Sequence, residues 1–331
     1  MPESSHQYDL AIKAKYAVDA QTMLVLEDCV VLVEGEQVKK TVLAGAPYAA
    51  RQTLDYGDAA ILPAFVNAHA HIDLSHLRGQ QLSGEDFDQW LSCVVEGRKA
   101  PVGLIAAGAA GACQDMLATG TAAVMDVLAT NQGAEEVARA VLESGLRATI
   151  AVEVIGLAGR NEEEALAPSL ALAQRILDEI LRTEGEDIAC YIERILDGER
   201  EPQVALSPHA PYTVSPRLYE RVADYAARML MLQTTHLAES PAEREFLVKG
   251  TGRFRSLFEK FGMDFSAYKP VGLDPAHMWL KHVSGLVQHG VNDTLFAHCY
   301  DLEASEIAEL GKQSPSVAYC PRSREFFGHP S

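Results

Sequence analysis

Residues 64–79 read AFVNAHAHIDLSHLRG, with His69 and His71 one residue apart after an apolar run. On a β-strand, side chains at i and i+2 leave the same face, so imidazoles at this spacing converge on one point. Neutral imidazole is the commonest zinc ligand, and a catalytic zinc takes about three protein ligands while keeping one position open. Three more histidines follow short apolar runs: His209 in SPHAPYTVS, His236 in THLAES and His298 in FAHCY. An isolated HxH arises easily by chance. A series of histidines at successive strand ends does not.

Glu239 stands three residues after His236. A bound cation acidifies water, and a carboxylate beside it can take that proton and pass it to a leaving group. The competing explanation is a first-turn acid in SPAERE, favoured there by the helix dipole. His298 could polarise the attacking hydroxide or the substrate. His209 lies on a proline-stiffened loop and is expected to orient substrate. Trp90 and Arg322 are candidates for the pocket wall, although Trp90 at helical spacing serves equally well as core. His6, His76, His277, His282, His289 and His329 lack such placement and read as structural or solvated. The chain carries no GxxxxGK[ST] or dinucleotide GxGxxG, and neither GDAA nor SPH forms a nucleophile elbow. GLIAAGAAGA is read as a helix made for close packing.

The elements that would position these residues alternate. Strand-like runs near 61–68, 121–127, 147–156, 203–209, 231–236, 294–299 and 316–321 are separated by helical patterns, with a mostly helical insertion over about 253–290. Repeated β–α units imply parallel strands with helices outside, and in a (β/α) barrel the strand ends line one mouth. The expected fold is a TIM-like (β/α) barrel over 61–331 that lacks a recognisable eighth strand. Residues 1–60 are β-rich, with turn signals at EGEQ and YGD, and form a small separate β unit.

Of the 331 residues, 48% are hydrophobic, enough for a large core and against disorder. A net charge of −18 argues against binding nucleic acid or an anionic membrane surface. No run of eighteen apolar residues occurs, and MPESSHQYDL lacks the basic and apolar regions of a signal peptide. The six cysteines are scattered without a CxxC pair, as in a reducing compartment. A cytoplasmic enzyme acting on a small molecule is the expectation.

Taken together, LPAFVNAHAHIDLSHLRG, GTAAVMDV, SPHAPYTVS, THLAES, LFAHCYDL and VAYCPRS resemble the amidohydrolase superfamily in its deaminase and chlorohydrolase branch. The resemblance implies a metal-dependent barrel carrying a small β-sandwich, of which residues 1–60 would be the N-terminal part. It implies His69, His71 and His236 as metal ligands, Glu239 as proton shuttle, His298 as the polarising histidine and His209 as a substrate contact. VALSPHAP offers no bridging lysine or carboxylate, so one divalent ion is expected, zinc first and iron as the alternative. The chain departs from the family pattern at Ala64, where glycine is usual. It also has no segment after VAYCPRS to bring the eighth-strand aspartate, which neither Asp126 nor Asp301 matches. A truncated chain is therefore expected, its unpaired strand edges open to another copy in a homo-oligomer. The implied activity is hydrolytic deamination of an aminated N-heterocycle or nucleoside, adenosine- and aminofutalosine-type substrates included. Chlorohydrolase or amidase chemistry, or an inactive fragment, are the alternatives.

Overall fold

The computed structural model describes residues 6–20, 22–80, 87–130, 132–157, 161–198, 202–263, 268–287 and 293–329. The chain divides into two compact units, Met1–Phe65 and Val66–Ser331.

The first unit holds one five-stranded sheet. β1 (Gln7–Val18) runs antiparallel to β2 (Val25–Glu34), and β2 antiparallel to β3 (Gln37–Leu43). β1 also pairs in parallel with β4 (Ala49–Asp55) and β5 (Ala60–Ile61). Gly35, at φ +56°, makes the tight turn of EGEQ, a backbone conformation that only glycine adopts without cost. Alternation then sorts the side chains: Val30 and Leu32 pack with Ala11 in one cluster, Cys29 and Val31 with Ala17 in another.

Among the described residues, the second unit contains seven strands in chain order: β6 (Phe65–Ala70), β7 (Thr121–Leu128), β8 (Arg147–Val154), β9 (Gln203–Pro208), β10 (Gln233–Leu237), β11 (Thr294–His298) and β12 (Ser316–Ala318). Neighbouring strands from β7 to β12 pair in parallel. This is the sheet of a TIM-like (β/α) barrel, with β6 and β12 at its two ends. Parallel strands between helices and barrel interior are buried on both faces. On β8, Ile150, Val152 and Val154 join the large core beneath the helices, while Ala151 meets Val127 and Ala205 in a second cluster. The helices include α1 (Phe87–Gly97), α2 (Val102–Ala118), α3 (Ala134–Glu143), α4 (Glu162–Glu184), α5 (Ile188–Leu196), α6 (Pro216–Arg228) and α7 (Pro241–Lys249). They continue with α8 (Arg253–Lys260), α9 (Pro275–His282), α10 (Ala304–Gly311) and α11 (Pro321–Phe327).

Three local features differ from the sequence reading. The first barrel strand spans Phe65–Ala70 and does not start at Ile61, because Ala60 and Ile61 pair with β1 and Pro63 cannot donate to a ladder. A 3-10 helix over Ile72–Leu77 follows His71 at once. α5 has no counterpart in that reading. The Gly/Ala run does serve close packing: a Cβ on Gly108 of α2 would meet the backbone nitrogen of His76 at 2.6 Å.

Candidate active site

His69 lies inside β6 and His71 is the residue after it; His209 follows β9, His236 is the fourth residue of β10, and His298 closes β11. The turn after His71 is tied down by Asp126 of β7, whose Oδ1 accepts the Ile72 N–H at 2.8 Å. Parallel pairing sets His236 opposite Ala297 and Leu237 opposite His298, so the two histidines stand one step apart along the sheet, and His298 leaves extended geometry at φ +78°.

The rings converge. Centroids of His69 lie 5.0 Å from His71, 4.8 Å from His236 and 5.3 Å from His298. His71 and His236 are nearly parallel, at 8°, with their Nε2 atoms 3.2 Å apart. One ring nitrogen from each of His69, His236 and His298 falls within a mutual 4.8 Å. Two nitrogens bound to one tetrahedral zinc at about 2.0–2.1 Å sit roughly 3.4 Å apart, so the 3.2 Å between His71 and His236 fits a shared cation, although His71 is not part of the 4.8 Å group.

Hydrogen bonds set the tautomers. A carbonyl only accepts, so His236 Nδ1, 2.7 Å from the His209 oxygen, carries the proton and leaves a lone pair on Nε2. The Tyr300 hydroxyl donates to the Cys320 carbonyl at 2.5 Å and therefore accepts from His298 Nδ1 at 3.0 Å. His298 Nε2 then faces Glu239 Oε1 at 3.6 Å with its lone pair. Burial drives the His69 ring down to about 3 and His236 to about 4, and depresses His71, His209 and His298 as well, with the neighbouring imidazoles adding to the effect in His69, His71, His209 and His298. These rings are neutral near pH 7, as metal or substrate binding requires. Burial raises the Glu239 carboxyl to about 7.

Glu239 and His209 thus stand beside the histidine group as the sequence suggested. His209 Nδ1 lies 2.6 Å from the Thr213 hydroxyl, and its ring is 4.9 Å from His236. Trp90 is half-buried with its ring edge-on to Phe327 at 5.0 Å. Arg322 is exposed at the start of α11, and no contact found among the described residues joins it to the histidines. His6, His76, His277 and His282 hydrogen-bond or pair with Glu34, backbone carbonyls, Asp274 and Glu220 respectively. His289 lies outside the described residues.

Sequence reasoning missed several neighbours. His329 Nε2 is buried 4.0 Å from Glu239 Oε1, with its ring against Phe327 and Tyr300. Arg98 of the segment after α1 reaches Asp73 at 3.3 Å and the buried Glu153 of β8 at 3.7 Å, and Glu153 in turn lies 3.9 Å from His209 Nε2. No local pattern flags these residues, except that a charged Glu153 inside AVEVIG is out of place on an apolar strand.

The chain belongs to the amidohydrolase family, whose model matches residues 60–329. Members of this family use a divalent metal. Over 281 residues it is 26% identical to an aminodeoxyfutalosine deaminase of a Nitratiruptor species, covering 82% of this chain and 59% of that protein. The chain thus spans well under two thirds of the length of this relative. Among solved structures, an adenosine deaminase from Xanthomonas campestris with bound zinc aligns with a TM-score of 0.69 at 24% identity, covering 98% of this chain and 65% of the other. The Helicobacter pylori aminofutalosine deaminase in complex with methylthio-coformycin aligns with a TM-score of 0.75 at 21% identity, covering 97% and 72%. At these identities the structural likeness establishes the fold.

Proposed function

We propose that this protein is a zinc-dependent hydrolase that removes the amino group of an aminated N-heterocycle, with an adenine nucleoside as the first substrate class. The observation that carries the reading is the 3.2 Å approach of His71 and His236 Nε2, with the Glu239 carboxyl held beside the same cluster. The deaminase names of the relatives support the substrate class, and the zinc bound in the Xanthomonas campestris structure supports the metal.

His69, His71 and His236 would hold the ion, whose contribution is to make water a nucleophile near neutral pH. Glu239, pushed by burial to about 7, holds and releases a proton in that range. It takes the proton from the attacking water and delivers it to the departing amine. His298 keeps its Nε2 lone pair toward the reacting centre because Tyr300 holds its other nitrogen. His209, anchored by Thr213, presents its ring to the substrate from β9.

The test is ammonia release from adenosine and methylthioadenosine by protein carrying one zinc. Glu239→Gln should lower kcat by about 100- to 10,000-fold while metal content stays the same. Equal turnover by the variant, or no ammonia from any aminopurine or aminopyrimidine nucleoside tried, would overturn the reading.

A further inference from the structure

Three residues, Ala238 to Ser240, connect the end of β10 at Leu237 to the start of α7 at Pro241, and Glu239 is the middle one. Ala238 stands at φ +50°, a left-handed conformation that a non-glycine residue keeps only when its surroundings enforce it. Ser240 occupies the N-cap of α7 yet gives no side-chain cap hydrogen bond. Glu243, on the third position of the helix, is fully buried. Its Oε1 accepts the Ala238 N–H at 3.0 Å and its Oε2 the Glu239 N–H at 2.9 Å.

This is not ordinary capping. In a capping box the third-position acid takes the N–H of the N-cap residue itself. Glu306 does so on α10, accepting the Glu303 N–H at 2.7 Å. Glu243 reaches past its N-cap to the two residues before it, and each oxygen takes one of them. From the opposite side, the Ala238 carbonyl accepts the Asp301 N–H at 2.8 Å, and the Leu237 carbonyl the Cys299 N–H at 2.9 Å. The peptide units around Glu239 are therefore gripped by a buried carboxyl group on one side and by the segment that follows His298 on the other.

We infer that Glu243 is a positioning residue for Glu239. By holding two consecutive backbone N–H groups, it fixes the stem from which the Glu239 carboxyl reaches His298 Nε2. The inference rests on the reading of Glu239 as the proton carrier. A misplacement on the order of 1 Å at a reacting group costs about 100-fold in rate, so loosening this grip should fall on kcat.

Glu243→Gln tests this with little change in shape, since an amide offers one acceptor where two are used and sets its NH2 against the other N–H. With adenosine as substrate and one zinc bound, kcat should fall by about 10- to 100-fold with KM within about threefold. The amides of Ala238 and Glu239 should exchange hydrogen at least about tenfold faster than in the unaltered protein. A variant that loses thermal stability but keeps kcat within about twofold would reduce Glu243 to a structural cap and overturn the inference. If the variant does not fold, the unaltered protein decides: rapid exchange at Ala238 and Glu239 would overturn the grip, and strong protection would support it. Full turnover by Glu239→Gln would sink the proton-carrier reading alone, leaving the exchange result to judge the grip.

Discussion

The His236 ring and backbone both donate to one oxygen: Nδ1–H and N–H meet the carbonyl of His209 at 2.7 and 2.9 Å. The end of β9 thereby sets both the tautomer and the tilt of a ring on β10, and points Nε2 at His71. Neighbours that orient a metal-binding ring in this way raise its basicity and reduce its freedom.

If that ring and its partner at residue 71 bind one ion, removing either should empty the site. His236→Ala and His71→Ala are each expected to lose zinc affinity by more than the roughly 10- to 100-fold that supporting residues cost. Metal analysis after dialysis against a weak chelator, with circular dichroism to verify folding, measures it. Retention of one zinc per chain in either variant would remove that histidine from the ligand set.

Tyr300 is the less obvious participant. Its hydroxyl links His298 Nδ1 to the Cys320 carbonyl, joining β11 to the segment after β12. Tyr300→Phe keeps the ring and removes the acceptor, so His298 is freed to turn. A loss of about tenfold in kcat is expected, the worth of one hydrogen bond, with zinc content unchanged. Steady-state kinetics showing no change would mean that His298 is held by packing alone.

Asp126 supplies a pH signature in stability. Burial raises its carboxyl to about 8, opposed by the Ile72 N–H and reinforced by Asp73. A folded-state pKa above the unfolded value of about 3.9 means that the native chain retains a proton the unfolded chain has lost. Stability from this group is therefore complete below about pH 4 and declines as pH rises toward 8. Asp126→Asn removes the dependence. In urea denaturation of the metal-free protein, the variant should gain on the parent by an amount on the order of a few kcal/mol between about pH 5 and about pH 8. Glu153, Glu239 and Glu243 slope the same way, so the difference between the two proteins is the quantity to follow. A difference that does not change with pH would place the proton elsewhere.

Much of the barrel is legible in the chain because its causes are local. Alternation of short apolar runs with amphipathic stretches reports strands packed under helices, and all seven expected strands occur in order. Boundaries slip where two sheets compete for the same residues: Ile61 reads as barrel strand but bonds to β1. The 3-10 turn after His71 escapes notice because IDLSHL has no strong propensity, and its shape follows from the Asp126 anchor. His329 reads as an ordinary terminal histidine, and only the fold brings it beside Glu239.

By itself the sequence determined which groups could do chemistry and at what spacing: HAH on one strand face, a glutamate three residues beyond His236, a histidine closing FAHCY. Those facts follow from covalent order and strand period. Tertiary structure alone decided that two imidazoles 165 residues apart meet at 3.2 Å, which nitrogen of His236 carries the proton, and how far burial lifts Glu239. It likewise left Arg322 in solvent and gave Glu243 its two backbone partners. The physical reason is that distance, desolvation and hydrogen-bond direction arise between strands, once their register is set, and no single segment encodes them.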